Sequence, residues 1–230
     1  PQQGTHESLF CARPGLDVWK ASAWAESKDY YNPKEVMEAA RLMLSVAGRY
    51  KGNNNFEYDL VDVLRQAITE KGRLMLKVVA AAYWAEDKAL FASASERFLQ
   101  LILLQDELLG TRREFRVGNW TGMARNIGQT KEEKDLYEWN ARVQITTWGN
   151  HSASERGKLH DYAHKEWNGI LKDFYYMRWK TYFDGLTRSL KGEMVPVIDW
   201  YALEEPWTKV SDTYSLQPEG NCIEVAKRVY

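Results

Sequence analysis

From residue 32 onward, apolar residues recur at intervals of three and four, and nowhere does strict apolar–polar alternation flank a tight hairpin turn. A period near 3.6 gathers side chains on one stripe of a helix, whereas a half-buried strand needs a period of two. Asn32-Pro33-Lys34-Glu35 opens the first run with an N-cap residue, a proline at the first helical position and a carboxylate in the first turn. Val36, Ala39, Leu42, Met43 and Val46 follow as a stripe that ends at Gly48 to Gly52. A second run starts near Phe56 and carries Leu60, Val63, Leu64, Ala67 and Ile68 on through Leu74, Val78 and Ala81. A third spans Asp87 to Leu109, with Phe91, Phe98, Leu101, Ile102, Gln105 and Leu108 on one broad face.

A shorter helix is expected over Asn119 to Ile127. Thr130 with Glu133 reads as a capping box that starts a helix running to Trp148. On it Tyr137, Ala141, Ile145 and Trp148 form one stripe and Leu136, Trp139 and Val143 a second, which predicts a helix central to its domain. The segment from Asp161 to about Leu190 is predicted as the longest helix, burying Ala163, Trp167, Ile170, Phe174 and Met177. Val195-Pro196-Val197 reads as an extended connection, and Asp199 to Val210 and Asn221 to Val229 as two short helices. Residues 1 to 31 look irregular, with a turn at Pro14-Gly15. The expected fold is all-α: one bundle-like domain of six to eight helices over residues 32–230, behind a lead-in over residues 1–31.

The 230 residues carry a net charge of −1, which speaks against nucleic-acid and membrane-surface partners, since both require a clustered positive field. No apolar run approaches the roughly 20 residues that span a bilayer. Pro1 to Thr5 carry neither a basic nor an apolar leader region. Cys11 and Cys222 are equally compatible with pairing and with remaining free. His160 and His164 stand four apart, a spacing that suits zinc, but no thiolate or His-Glu-x-x-His word accompanies them, and a hydrogen-bonded pair is the expectation; no metal or other cofactor is called for. Retaining glycoside chemistry would need two carboxyl groups about 5–5.5 Å apart. The acidic residues fall at expected helix starts (Glu35, Glu132, Asp161) or on expected solvated faces (Glu70, Asp106, Glu107), so no such pair is expected here. Asn119-Trp120-Thr121 and Asn150-His151-Ser152 fit the N-glycosylation pattern at about chance frequency.

The unusual part of the composition is aromatic, with 10 Trp and 13 Tyr, a supply that cores and carbohydrate sites both use. Trp148-Gly149 and Asp161-Tyr162 are expected at two helix ends facing a common loop. Further words share this stretch and its surroundings: Tyr58-Asp59-Leu60 with Arg65-Gln66-Ala67, Asn140-Ala141-Arg142 with Gln144 and Thr146, Ala163, Lys165, Trp167 and Gly169, then Tyr175-Tyr176 with Arg178-Trp179. In this order and at these spacings the chain resembles the C-terminal helical domain of the α-N-acetylglucosaminidases, glycoside hydrolase family 89. The family pattern departs at the loop, which is longer here, at Asn150 in place of a common proline, and at His164 in place of Asn.

The resemblance implies a retaining exo-glycosidase acting on terminal α-linked N-acetylglucosamine, with both catalytic carboxylates on a (β/α)-barrel upstream of residue 1. It implies that no catalytic residue lies in this chain, and that Trp148, Tyr162 and Leu159 contact the sugar and complete the barrel's pocket. A pyranose presents one face of C–H groups that an indole covers well, and a phenol adds a hydroxyl. A non-cytoplasmic location (periplasmic, secreted or lysosomal) and a piece excised from a longer protein are implied likewise. Two other classes stay open: an independent carbohydrate-binding module and a purely structural helical domain.

Overall fold

The computed structural model describes residues 8–18 and 31–230; the expectations for Pro1 to Thr5 and for most of the lead-in lie outside them. The described residues form eight α-helices: α1 Pro33–Val46, α2 Asn54–Trp84, α3 Lys88–Gly110, α4 Val117–Arg125, α5 Lys131–Gln144, α6 Tyr176–Ser189, α7 Trp200–Lys209 and α8 Cys222–Val229. The only pairing outside helices among these residues is an isolated bridge between Arg116 and Asn168. None of the helices is long and apolar enough to cross a membrane. The all-α expectation holds.

The helix starts are written locally. Asn32, Asn53, Asp87, Thr130, Asp199 and Asn221 each accept a backbone N–H of the first turn with their side chain, which satisfies donors that the helix leaves orphaned. At Thr130 the reciprocal bond from Glu133 is also made. Helices α2 and α3 form the central hairpin, joined by the turn through Glu86, and α1, α6 and α8 pack around them. Between these helices Phe10, Phe91, Phe98, Trp179 and Phe183 interlock, with the Phe98 and Trp179 ring centroids 4.5 Å apart. Contacts of this kind add about 0.5–1.5 kcal/mol each beyond their buried area.

Phe10 belongs to a segment that sequence periodicity does not assign to the core. Leu9–Cys11 form a 3-10 turn, and Leu9 through Ala12 are fully buried. Gly72 on α2 makes room for them, because a Cβ there would stand 2.5 Å from the Phe10 ring. Trp179 Nε1 donates to the Phe10 carbonyl at 3.0 Å, and Arg178 Nη1 donates to the Cys11 carbonyl at 3.0 Å. The chain then turns at Gly15 to Val18, as Pro14-Gly15 predicts. Cys11 and Cys222 are both buried and free.

Four expectations need correction. Helix α5 ends at Gln144, not Trp148. Thr146 Oγ1 donates to the Arg142 carbonyl at 2.7 Å and takes the acceptor that its own backbone N–H would use in a continuing helix. The β-branched run Ile145-Thr146-Thr147 adds to the loss of helical preference.

Helix α5 is also not central: Leu136, Tyr137 and Trp139 are exposed, and its buried residues are the pair Glu138–Arg142 with Ala141 and Val143, the helix packing against α4 and α7. Arg142 lies over the Trp207 and Tyr214 rings at 4.7 and 5.0 Å. A charged pair therefore occupies the place that the two-stripe reading gave to hydrocarbon.

Residues Asp161 to Leu190 are not one helix, and α2 is the longest element. Regular helix begins only at Ile170, runs through a π-turn at Leu171–Tyr175 and continues as α6. Asp161 at φ +61° and Gly169 at φ +92° break any earlier start. A Cβ at Gly169 would meet Val117 and the Tyr214 ring at 2.8 Å, so this residue has neither the backbone conformation nor the room for a side chain. Ala163, Trp167 and Met177 are half-buried, while Ile170 and Phe174 are in the core.

Finally, three acids expected on helix starts or solvated faces are interior. Asp161 pairs with Arg178, Glu70 with Arg73, and Asp106 closes the N-terminal end of the Ile170 helix. Asp106 Oδ1 accepts the N–H groups of Gly169 (2.6 Å) and Lys172 (3.1 Å), and Oδ2 accepts Asn168 Nδ2 at 2.8 Å. Glu166 holds the irregular stretch in place from the other side. It accepts Ser8, Gln105 and, at 3.1 Å, Thr69, and so ties the N-terminal segment to α2 and α3.

Replacing Arg178 by Met leaves the carboxylates of Asp161 and Glu204 buried without their shared cation. Unfolding in urea is expected to show a loss of about 3–5 kcal/mol. Asp106 supplies a pH dependence. Burial raises its pKa to about 6, against the opposing pull of the Gly169 and Lys172 N–H groups. Because the folded-state value lies above the unfolded one, its contribution is fully present below about pH 4 and is lost as pH rises through 6, amounting in full to about 3 kcal/mol. Melting temperatures of the parent and of Asp106→Asn, followed from pH 4 to 7, should move in the variant's favour up to about pH 6.5 and then run parallel.

Candidate functional site

Trp148 stands four residues beyond the end of α5 in a left-handed conformation, φ +60°, and its N–H donates back to the Val143 carbonyl at 2.7 Å. A bulky residue in this region is held there by its surroundings, and such positions cluster at functional sites. Tyr162 sits in the turn that follows Asp161, with its N–H on the Leu159 carbonyl at 3.1 Å. The two rings meet with centroids 4.9 Å apart and planes inclined at 55°. Neither aromatic ends or opens a helix, as the periodicity had suggested. They lie together nonetheless, and Tyr162 is 56% exposed.

The intervening loop folds on itself. Ser152–Arg156 make a π-turn, Leu159 donates to the Ala153 carbonyl at 3.2 Å, and Asp161 donates to the Thr146 carbonyl at 2.8 Å. That last bond joins the Trp148 turn to the Tyr162 turn. Leu159, half-buried, is tied through its backbone to both the loop and the tyrosine. His160 Nδ1 bonds the Ser154 carbonyl and His164 Nδ1 the Asp161 carbonyl, so each imidazole serves a local turn. Among the described residues no group of three or more His, Cys, Asp or Glu is arranged to hold a metal.

Asp161, the residue before Tyr162, belongs to a charge network that periodicity does not reveal. Arg178 grips Asp161 with both terminal nitrogens, at 2.9 and 3.0 Å, and its Nε lies 2.8 Å from Glu204 Oε1 on α7. All three side chains are fully buried. Arg13 joins the network from the N-terminal segment, reaching Glu204 at 2.9 and 3.0 Å and Glu155 of the loop at 2.7 and 2.8 Å. The Arg13 hydrogen bonds hold the Glu155 carboxyl well below its ordinary range, at about 2. One signal for Arg178 was present in the sequence: an arginine set among Phe174, Tyr175 and Trp179 must be paired if those neighbours are core.

A cleft of about 670 Å³ lies apart from these aromatics and is lined in part by Asp106, Arg116, Asp173 and Tyr214. Two pairs of its polar groups satisfy each other. Arg116 pairs with Glu219 at 2.9 Å, and the Tyr214 hydroxyl donates to Asp173 at 2.9 Å.

The whole chain, residues 1–230, matches the model of the α-N-acetylglucosaminidase C-terminal domain. Human α-N-acetylglucosaminidase is 29% identical over 235 residues, an overlap that takes in 99% of this chain and 30% of the human protein. A family 89 glycoside hydrolase from Clostridium perfringens, solved in complex with PUGNAc, superposes with a TM-score of 0.93 at 35% identity, over 98% of this chain and 26% of that one. A doubly substituted form of the Clostridium perfringens enzyme, solved with its substrate GlcNAc-α-1,4-galactose, gives 0.92 at the same identity. The chain thus spans less than a third of the length of these relatives. With the match running from its first residue to its last, this chain belongs to the α-N-acetylglucosaminidase C-terminal domain family of glycoside hydrolase family 89.

Proposed function

We propose that this domain completes the sugar pocket of a retaining exo-α-N-acetylglucosaminidase, acting on terminal α-linked N-acetylglucosamine together with a catalytic barrel that precedes it in the intact protein. The observation that carries this reading is the Trp148–Tyr162 pair: two inclined rings 4.9 Å apart, Trp148 half-buried and Tyr162 exposed, held by a strained backbone and a fully buried ion pair. A core role would bury Tyr162, which is instead more than half exposed. An indole and a phenol set at an angle offer a sugar one stacking face and one hydroxyl. Leu159 would add an apolar contact from the same turn. The Clostridium perfringens relative, solved with GlcNAc-α-1,4-galactose, supports the choice of sugar. A location outside the cytoplasm belongs to the same reading.

The chemistry itself is assigned elsewhere. A retaining mechanism requires a nucleophilic carboxylate and a carboxylic acid that both reach the scissile bond. Asp161, Glu204, Glu138 and Glu70 are each engaged by an arginine. Asp106, with its raised pKa, is the acid best tuned for proton donation, but both of its oxygens already accept hydrogen bonds from the segment it caps.

Three measurements test the reading. The isolated chain should give no turnover of an aryl α-N-acetylglucosaminide, and turnover by it would place the catalytic carboxylates here. In the enzyme that includes the barrel, Trp148→Ala should lower kcat/KM by about 10- to 100-fold with little change in melting temperature. An unchanged kcat/KM would favour the purely structural role, and measurable binding of N-acetylglucosamine by the isolated chain would favour an independent binding module.

A further inference from the structure

The loop between Trp148 and Tyr162 is held at three points. At one end, Trp148 is pinned by its bond to Val143. At the other, Asp161 is clamped by Arg178, and its own N–H joins it to Thr146. The third point lies in the middle, where Glu155 of the π-turn meets Arg13 through two parallel hydrogen bonds of 2.7 and 2.8 Å. A planar guanidinium bound bidentately fixes orientation as well as distance. Ser154, fully buried, donates to the same carboxylate at 2.8 Å, and the His151 ring rests against Tyr201 of α7 at 5.2 Å.

Arg13 is unusual in what it joins. It stands directly after Leu9–Ala12, the segment locked into the core by Arg178 and Trp179, and its remaining bonds go to Glu204, the carboxylate that Arg178 also holds. The cluster contains two guanidinium groups and three carboxylates, Asp161, Glu155 and Glu204. Neither cation in it is spare, since Arg13 holds Glu155 and Glu204 and Arg178 holds Asp161 and Glu204. We propose that Arg13 is a positioning residue for the sugar-facing turn: through Glu155 it couples the N-terminal segment to the loop that carries Leu159 and leads into Tyr162. This rests on the pocket role proposed above for Trp148 and Tyr162. On that reading the residues leading from the barrel into the helical domain also set the shape of the pocket wall, so the two are adjusted together.

The test is a double-mutant cycle in the enzyme that carries the barrel, with an aryl α-N-acetylglucosaminide as substrate. Glu155→Gln is the first variant, because it releases the loop while leaving the Arg13–Glu204 and Arg178–Asp161 pairs in place. Arg13→Gln is the second, and Arg13→Lys is the conservative control that keeps charge without the fork. Release of the loop should raise KM about tenfold with a smaller effect on kcat, and Arg13→Lys should recover only part of it. In a Tyr162→Ala background the same Glu155→Gln change should cost less than twofold, because the ring that the loop positions is gone. Equal costs in both backgrounds, or an unchanged KM in Glu155→Gln, would overturn the positioning role. The pocket reading fails separately, when Tyr162→Ala and Trp148→Ala both leave kcat/KM unchanged.

Discussion

The buried guanidinium of Arg178 is the point on which the organisation of this domain turns. It lies on α6, between core aromatics, and its terminal nitrogens hydrogen-bond Asp161 across the aromatic turn and the carbonyl of Cys11 in the N-terminal segment, while its Nε forms an ion pair with Glu204 on α7 without an aligned hydrogen bond. Burying such a charge is costly unless its hydrogen bonds are met, and once met they leave little freedom in where the partners sit. A hydrophobic replacement could fill the space but could not dictate that a surface turn, a C-terminal helix and the N-terminal segment converge at one place. The ion pairs contribute specificity of arrangement more than net stability.

The irregular stretch from Ile145 to Gly169 takes its form from this constraint. Helix hydrogen bonds are given up over these residues and replaced by side-chain bonds: Thr146 to Arg142, Asp161 to Arg178, Glu166 to Ser8, Thr69 and Gln105, and Asn168 to Asp106. Positive φ at Trp148, Lys158 and Asp161 is retained because the surrounding bonds over-determine it. The aromatic pair is thus carried on backbone that is non-helical yet fixed, a condition that suits the sugar-binding role proposed for it.

The starts of the helices were legible because capping is local. Asn32, Asp87, Thr130, Asp199 and Asn221 lie within three residues of the N–H groups they accept, and each marks a helix start in both sequence and structure. The pairing of Trp148 with Tyr162 was legible from motif likeness, although both were assigned to helix ends that do not exist. Illegible were Asp161 as a buried ion, Asp106 as a cap for a helix 63 residues downstream, and the two-way grip of Arg13. Each is a bond between residues far apart in the chain, and periodicity carries no record of such partners. The same blindness made α5 look central: Leu136 and Trp139 of its second stripe face outward, and the charged face of Glu138 and Arg142 is turned in.

By itself the sequence determined an all-α chain, the capping side chains that start six of the eight α-helices among the described residues and the presence of two large aromatics flanking one loop, since period, capping and composition act over a few residues. Tertiary structure alone decided where α5 stops, why Asp161 to Asn168 do not coil, and which acids are ions inside the protein. Those outcomes depend on whether a distant arginine, threonine or backbone amide arrives to satisfy a buried polar group, and only the folded chain brings those groups together.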